Sequence, residues 1–390
     1  MKVYLDNAAT TAVKQEVVEA MLPYFTTHYG NPSSIHSFGQ DALRGINKAR
    51  EQVQKALNAK LPEEIFFTGS GTESDNTVLR GVALRYAKKG KHIITTAVEH
   101  HAISHTAEAL EKELGVEVTF LPVDEYGRVS AAQVEAAIRP DTILVSIMFA
   151  NNEIGTLMPI AEIGAVCHAH DVLFHTDAVQ AVGHVAIDVQ AMHIDFLSIS
   201  AHKFHGPKGV GALYARKGAI FTPLLYGGGQ EKGKRPSTEN VAGIVGMGEA
   251  IALATANMQE ASTYTRTLRD MLIAGISARI PEVRLNGHPT ERLDNNVNFS
   301  IRYIEGESLL LMLDMNGIAG SSGSACTSGS LDPSHVLLAI GLPHETAHGS
   351  LRLSLSELNT KEEVDYVLDV LPKVVQRLRE MSPLYNANKK

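Results

Sequence analysis

From residue 64 to residue 215 the chain alternates short apolar runs with amphipathic stretches, and that alternation limits the choice of fold more than any other feature. Strands are expected at 64–68, 92–96, 116–121, 142–149, 172–176, 195–200 and 210–215. Helices are expected at 72–89, 102–114, 130–138 and 160–170, between most of those strands. Strands joined through helices cannot pair as hairpins, so they should line up mainly parallel with helices on both faces. Two helices should precede them, at 14–29 and 38–58; in the second, Ala42, Ile46, Ala49, Val53 and Leu57 share one face. Residues 240–280 read as a long helix or a broken pair. After Pro281 the pattern changes to strand 295–301, helix 306–316, a Ser/Gly-rich loop 319–330, helix 334–340, strand 350–355 and helix 360–381. That is a second, smaller α+β domain. The expected division is 14–260 for the large domain, with 1–13 and 261–390 forming the small one and its mobile loop at 319–332.

In sheets of this kind chemistry collects at the carboxyl ends of strands. Residues 195–209 are an apolar strand that ends in small and polar residues and then presents Lys203 before Gly206-Pro207. A lysine there is either solvated or, if desolvated, a nucleophilic amine. Phe174-His175-Thr176-Asp177 ends another strand with an acid. Such an Asp and Lys suit pyridoxal 5'-phosphate, the Asp holding the pyridinium nitrogen protonated and the Lys binding the aldehyde. Residues 64–76 form a strand, a Gly69-Ser70-Gly71-Thr72 turn and a helix start, a phosphate cradle in which Thr72 either donates to the anion or merely caps the helix. Glu99-His100-His101 offers an imidazole that stacks on a planar ring or lies at the surface. Asn151-Asn152 closes a strand with groups for a ring hydroxyl or a carboxylate, or simply for a turn. Arg352, in the alternating 350–355 run, suits bidentate capture of a carboxylate or an ordinary ion pair. Gln180 and His202 flank the acid and the lysine. Cys326 lies in a Gly/Ser loop without apolar neighbours, the setting of a reactive thiol, whereas Cys167 reads as a buried small hydrophobe.

A net charge of −8 argues against nucleic acid or an anionic membrane as the main partner. No apolar run approaches the roughly 18 residues of a membrane span, and Met1-Lys2 leads straight into Val3-Tyr4-Leu5-Asp6 without a leader-type apolar stretch. Two cysteines make no disulfide framework and fit a reducing cytoplasm. The histidine pairs 100/101 and 168/170 lack metal-ligand spacing, so no metal is expected.

The stretches Tyr4 to Thr11, GTESDN at 71–76, EHHA at 99–102, NNEIG at 151–155, HTDAVQ at 175–180, SAHKFHGPKG at 200–209 and SSGSACTSGSLDPSHVL at 321–337 resemble, in order and over nearly the whole chain, the cysteine desulfurases of the NifS/IscS group within the class-V aminotransferases. The resemblance implies a fold-type I pyridoxal-phosphate enzyme and a homodimer with its sites at the subunit interface. It implies Lys203 as the Schiff-base lysine, Asp177 at the pyridine nitrogen and His100 stacked on the ring, where His100 is also the candidate proton acceptor from the substrate thiol. Gly71, Thr72, Ser200 and His202 would bind the phosphate, with Thr238 supplied by the other subunit, and Gln180 would meet the ring hydroxyl. Asn152 and Arg352 would hold the carboxylate of L-cysteine, and Cys326 would accept the sulfur as a persulfide. The sulfur acceptor implied is a U-type iron-sulfur scaffold protein. The stretches at 238–241 and 347–350 are more NifS-like, and the ending near Leu384-Tyr385 is shorter than the scaffold-docking tail of IscS-type enzymes. A selenocysteine lyase or another enzyme of the same fold would use a similar site. A sulfur-relay or scaffold subunit, the reading outside catalysis, would not need Lys203, Asp177, His100 and Cys326 together.

Overall fold

A computed structural model describes residues 1–322, 333–383 and 385. Twelve strands are present among them: β1 (Val3–Tyr4), β2 (Ile65–Thr68), β3 (His92–Thr96), β4 (Glu117–Leu121), β5 (Thr142–Ser146), β6 (Leu173–Asp177), β7 (Phe196–Ser200), β8 (Gly211–Ala215), β9 (Val283–Leu285), β10 (Asn296–Ile301), β11 (Ile318–Ala319) and β12 (Ser350–Ser354). Seven of these form one sheet in the order β2-β8-β7-β6-β5-β3-β4. Each of the seven expected runs lies in it, and pairing is parallel from β7 through β4. β8 is the exception and runs antiparallel to both β7 and β2. Its connection from β7 covers only 201–210, too short for the crossover of a dozen or more residues that a parallel neighbour needs. The sheet is therefore mixed but mostly parallel.

Both faces are apolar and covered. One core packs Ile94, Val145, Phe174, Leu197 and Ile199 with the helices Ser37–Ala56 and Val241–Ala256. The other packs Ile93, Leu144, Phe196 and Leu213 against helix Gly71–Arg85. The stretch expected as one helix at 14–29 is two, Gln15–Met21 and Pro23–Thr26, because Pro23 starts a new helix instead of continuing the old one. Residues 240–280 form a pair, Val241–Ala256 and Met258–Arg279, bent by 73° at Asn257. Among the described residues no single helix is long and apolar enough to cross a membrane.

A third core, including Leu5, Leu272, Val297, Phe299, Leu313, Leu353 and Leu371, surrounds the sheet β12-β10-β9. β1 joins it by parallel pairing with β11. β1, β9, β11 and the helix His344–His348 had no periodic signal, since two to five residues are too few to show one.

Strand β8 passes directly under the turn that follows β2. A Cβ on Gly211 would stand 2.7 Å from the Ser70 carbonyl carbon and 2.7 Å from the Ile199 oxygen, both backbone atoms that cannot rotate away. Gly211→Ala is expected to destabilise the protein by about 1–3 kcal/mol, read as a lower urea midpoint in equilibrium unfolding.

Candidate active site

The carboxyl ends of β2, β5, β6 and β7 open on a cavity of 370 Å³. Gly71, Thr72, His100, Asn152, Asp177, Gln180, Ser200, His202, Lys203 and Arg352 all line it, so the structure gathers ten of the sequence candidates at one place. Thr238 is exposed and does not reach this cavity, and Cys326 lies outside the described residues. Cys167 is fully buried, and burial followed by the Asp195 charge pushes its thiol up to about 12. That is an inert core cysteine.

Each wall has a local cause. Ser70, not Thr72, caps helix Gly71–Arg85, its hydroxyl accepting from Glu73 N. The Thr72 hydroxyl is thus left for the cavity at a helix N-terminus, where partial positive charge favours an anion. Gly71 is required there: a Cβ would sit 2.6 Å from Val179 Cγ2. Glu73 also accepts from Gly69 N and holds Arg235 in a two-pronged pair, which brings the loop bearing Thr238 beside the same turn. Asn151 performs turn chemistry, its Oδ1 accepting from Glu153 N and Ile154 N, and this leaves Asn152 facing the cavity.

Lys203 sits one 3-10 turn beyond β7, and its Nζ donates to the carbonyls of Ala8 at 2.6 Å and Ala9 at 2.9 Å. Residues 8–12 lace onto this turn. Thr10 Oγ1 lies 3.1 Å from His202 Nδ1, and Thr11 donates from both N and Oγ1 to the His202 carbonyl. His205 N donates to Thr11 Oγ1, and Gln180 Nε2 donates to the Ala8 carbonyl. Nothing in the sequence reading assigned these residues a part, although they belong to the 4–11 stretch that carries the resemblance.

The charges are graded by burial. Asp177 is raised to about 6, burial outweighing the Val179 N–H it accepts and the nearby Lys203. Burial also lifts Glu99 to about 8 and Glu153 to about 7, and it holds Asp75 well above the carboxylate range with help from the Asp177 charge. At neutral pH Asp177 is ionised while Glu99 carries a proton. His175, under Asp177 on the same strand face, is lowered to about 3 by burial and joins Ser146 on β5 to Ser198 on β7. His100 is lowered to about 4, first by burial and then by Lys203. Its Nδ1 accepts from Ala102 N at 3.1 Å, which places the proton of the neutral ring on Nε2. His100 is therefore a donor toward the cavity, and it serves as a base only if that cap bond breaks. His202 is lowered to about 4, again by burial first and Lys203 next.

Arg352 is 2% exposed. Its Nη1 donates to the Asn152 carbonyl at 2.9 Å and its Nη2 to Asp6 Oδ1 at 3.0 Å, while Nε has no partner among the described residues. Sequence reasoning missed Asp6, Asp75, Glu99 and Glu153, together with His101 and His335 on the cavity wall. Only the packing shows them, because no residue spacing marks a carboxyl as buried.

The arrangement can bind an anion at one end, hold a ring nitrogen protonated beside a buried carboxylate, present an amine between them and grip a carboxylate opposite. The Aminotransferase class-V family model matches residues 3–367. A protein named cysteine desulfurase IscS from Clostridium botulinum is 62% identical over 386 residues, covering 98% of this chain and 97% of that one. A solved structure titled NifS-like protein superposes with a TM-score of 0.91 at 39% identity, covering 97% of this chain and all of that one. Another, titled SspA in complex with cysteine, gives a TM-score of 0.81 at 37% identity over 92% of this chain and all of that one.

The lowered pKa of His100 has a consequence for stability. Below pH 6.5 the unfolded chain takes up a proton here that the folded chain does not accept until about pH 4. This group's contribution therefore falls as pH drops through that window. His100→Gln is expected to flatten that part of the stability profile of the cofactor-free protein, measured as urea midpoints from pH 7 to 4.

Proposed function

The chain belongs to the aminotransferase class-V family, and we infer that it acts there as a cysteine desulfurase, converting L-cysteine to L-alanine and holding the sulfur as a persulfide on Cys326. The observation that carries this reading is the convergence of Lys203, Asp177 and Arg352 on one cavity, in a chain 62% identical to a protein of that name.

The cofactor proposed is pyridoxal 5'-phosphate, and the walls fit it. Gly71 leaves the space its phosphate needs at the helix N-terminus, beside Thr72, Ser200 and His202. Asp177, ionised at neutral pH, would pair with the pyridine nitrogen, Gln180 would meet the ring hydroxyl, and His100 would stack on the ring. When bound, this group supplies an electron sink for a broken Cα–H bond. The protein does the rest. Arg352, with Asn152, holds the substrate carboxylate and so orients the Cα–H bond. The Lys203 amine would hold the cofactor's aldehyde and, when unattached, would take the α-proton. The carbonyls of Ala8 and Ala9 then steady the ammonium that results. Cys326, as thiolate, attacks the substrate sulfur. An S–S bond forms, the C–S bond breaks with its electron pair left on carbon, and a proton added to that carbon, with one returned to Cα, completes alanine. Nε2–H of His100 is placed as the hydrogen-bond donor to the reacting group.

The same reading makes the protein a cytoplasmic homodimer that passes sulfur to an iron-sulfur scaffold protein, with Thr238 completing the partner's phosphate site. Exposed Leu22, Phe25, Tyr29, Ile35 and Phe38 give it an apolar face suited to a second copy. Purified protein with pyridoxal phosphate, L-cysteine and a reductant should release sulfide and alanine in equal amounts. Alanine without sulfide, or pyruvate in its place, would overturn the reading. Cys326→Ala should keep the cofactor's visible absorbance and lose sulfide production, whereas Lys203→Ala should lose turnover altogether.

A further inference from the structure

Arg352 is a buried cation that already has a partner. Asp6 Oδ1 accepts from Nη2 at 3.0 Å, and the two side chains are 2% and 21% exposed. Asp6 is held firmly where it is. It bridges to Ser354 on the strand that carries Arg352, and its own carbonyl accepts from Ala9 N at 3.0 Å and from the Tyr4 hydroxyl at 3.2 Å. Tyr4 registers the charge: its hydroxyl pKa is raised, first by burial and then by Asp6. The backbone of Asp6 is thus fixed beside the strand of Arg352, and its carboxylate lies within hydrogen-bond distance of the guanidinium.

We propose that Asp6 is a built-in counter-charge to Arg352, which sets how tightly the site holds carboxylates and keeps the product amino acid from being retained. The proposal rests on the reading of Arg352 as the carboxylate clamp. L-Cysteine and L-alanine carry the same carboxylate, so attraction from an uncompensated guanidinium would tighten both alike. Binding of that uniform kind lowers KM without helping the chemical step, and on the product side it slows release. An anion fixed beside the guanidinium weakens the pull on both. The remaining N–H groups are still available to orient whichever carboxylate is present.

Asparagine at position 6 separates charge from geometry, because its Oδ1 still accepts from Nη2. If Asp6 only orients Arg352, Asp6→Asn is nearly silent; if its charge matters, carboxylates bind more tightly. The experiment is calorimetric titration of the holoenzyme with L-alanine for wild type, Asp6→Asn, Asp6→Glu and Arg352→Gln, each first checked for an unchanged melting midpoint. Asp6→Asn should bind L-alanine about threefold more tightly or better, the size expected for one partly screened charge at this range. In turnover it should lower both KM and kcat, and Asp6→Glu should restore both. Unchanged or weaker binding by Asp6→Asn overturns the counter-charge. Arg352→Gln tests the underlying reading separately: it should weaken L-alanine binding, and if it does not, the assignment of Arg352 falls and the role of Asp6 falls with it.

Discussion

The hydrogen bonds from Lys203 Nζ to the carbonyls of Ala8 and Ala9 hold the site in its working shape. A charged amine at the end of a buried strand needs acceptors, and the sheet cannot provide them because its own carbonyls are used in the ladder. A segment almost 200 residues earlier in the chain supplies them. Once residues 8–12 lie over the turn at 202–205, their other groups close the remaining gaps, through Thr10 to His202, Thr11 to His202 and His205, and Gln180 to Ala8. The same segment continues from Asp6, which bridges to Ser354 on β12, so the lysine is tied through one short strap to the sheet that carries Arg352.

Beneath the strap lies a set of groups whose protonation is decided by burial. Four carboxyls, Asp75, Glu99, Glu153 and Asp177, are raised by loss of water. Only Asp177 has both a backbone N–H and a lysine charge to offset that loss. It therefore stays an anion at neutral pH, whereas Glu99 does not. Protonated Glu99 keeps one oxygen without a hydrogen-bond partner among the described residues, an arrangement far less costly for a neutral carboxyl than for an anion. His175, neutral between two serine hydroxyls, adds no competing charge.

Much of this was legible in the chain. The alternation over 64–215 specified the seven strands, and because parallel strands end on one side, it also specified where Asp177, Lys203, Thr72 and Asn152 would meet. The antiparallel turn of β8 was not visible as periodicity, although the brevity of 201–210 already forbade a crossover. Likewise the bland alternatives for Thr72 and Asn151 were correctly posed, and hydrogen-bond geometry decided between them.

What the sequence by itself determined was the set of strands and helices and the chemical types gathered at the strand ends, because periodicity and strand direction are local properties of the chain. Only the tertiary structure decided which of those groups are charged, which nitrogen of His100 carries its proton, and that Asp6 faces Arg352. Those properties depend on water exclusion and on approach between segments hundreds of residues apart, as with Asp6 and Arg352, and no local pattern in the chain encodes either.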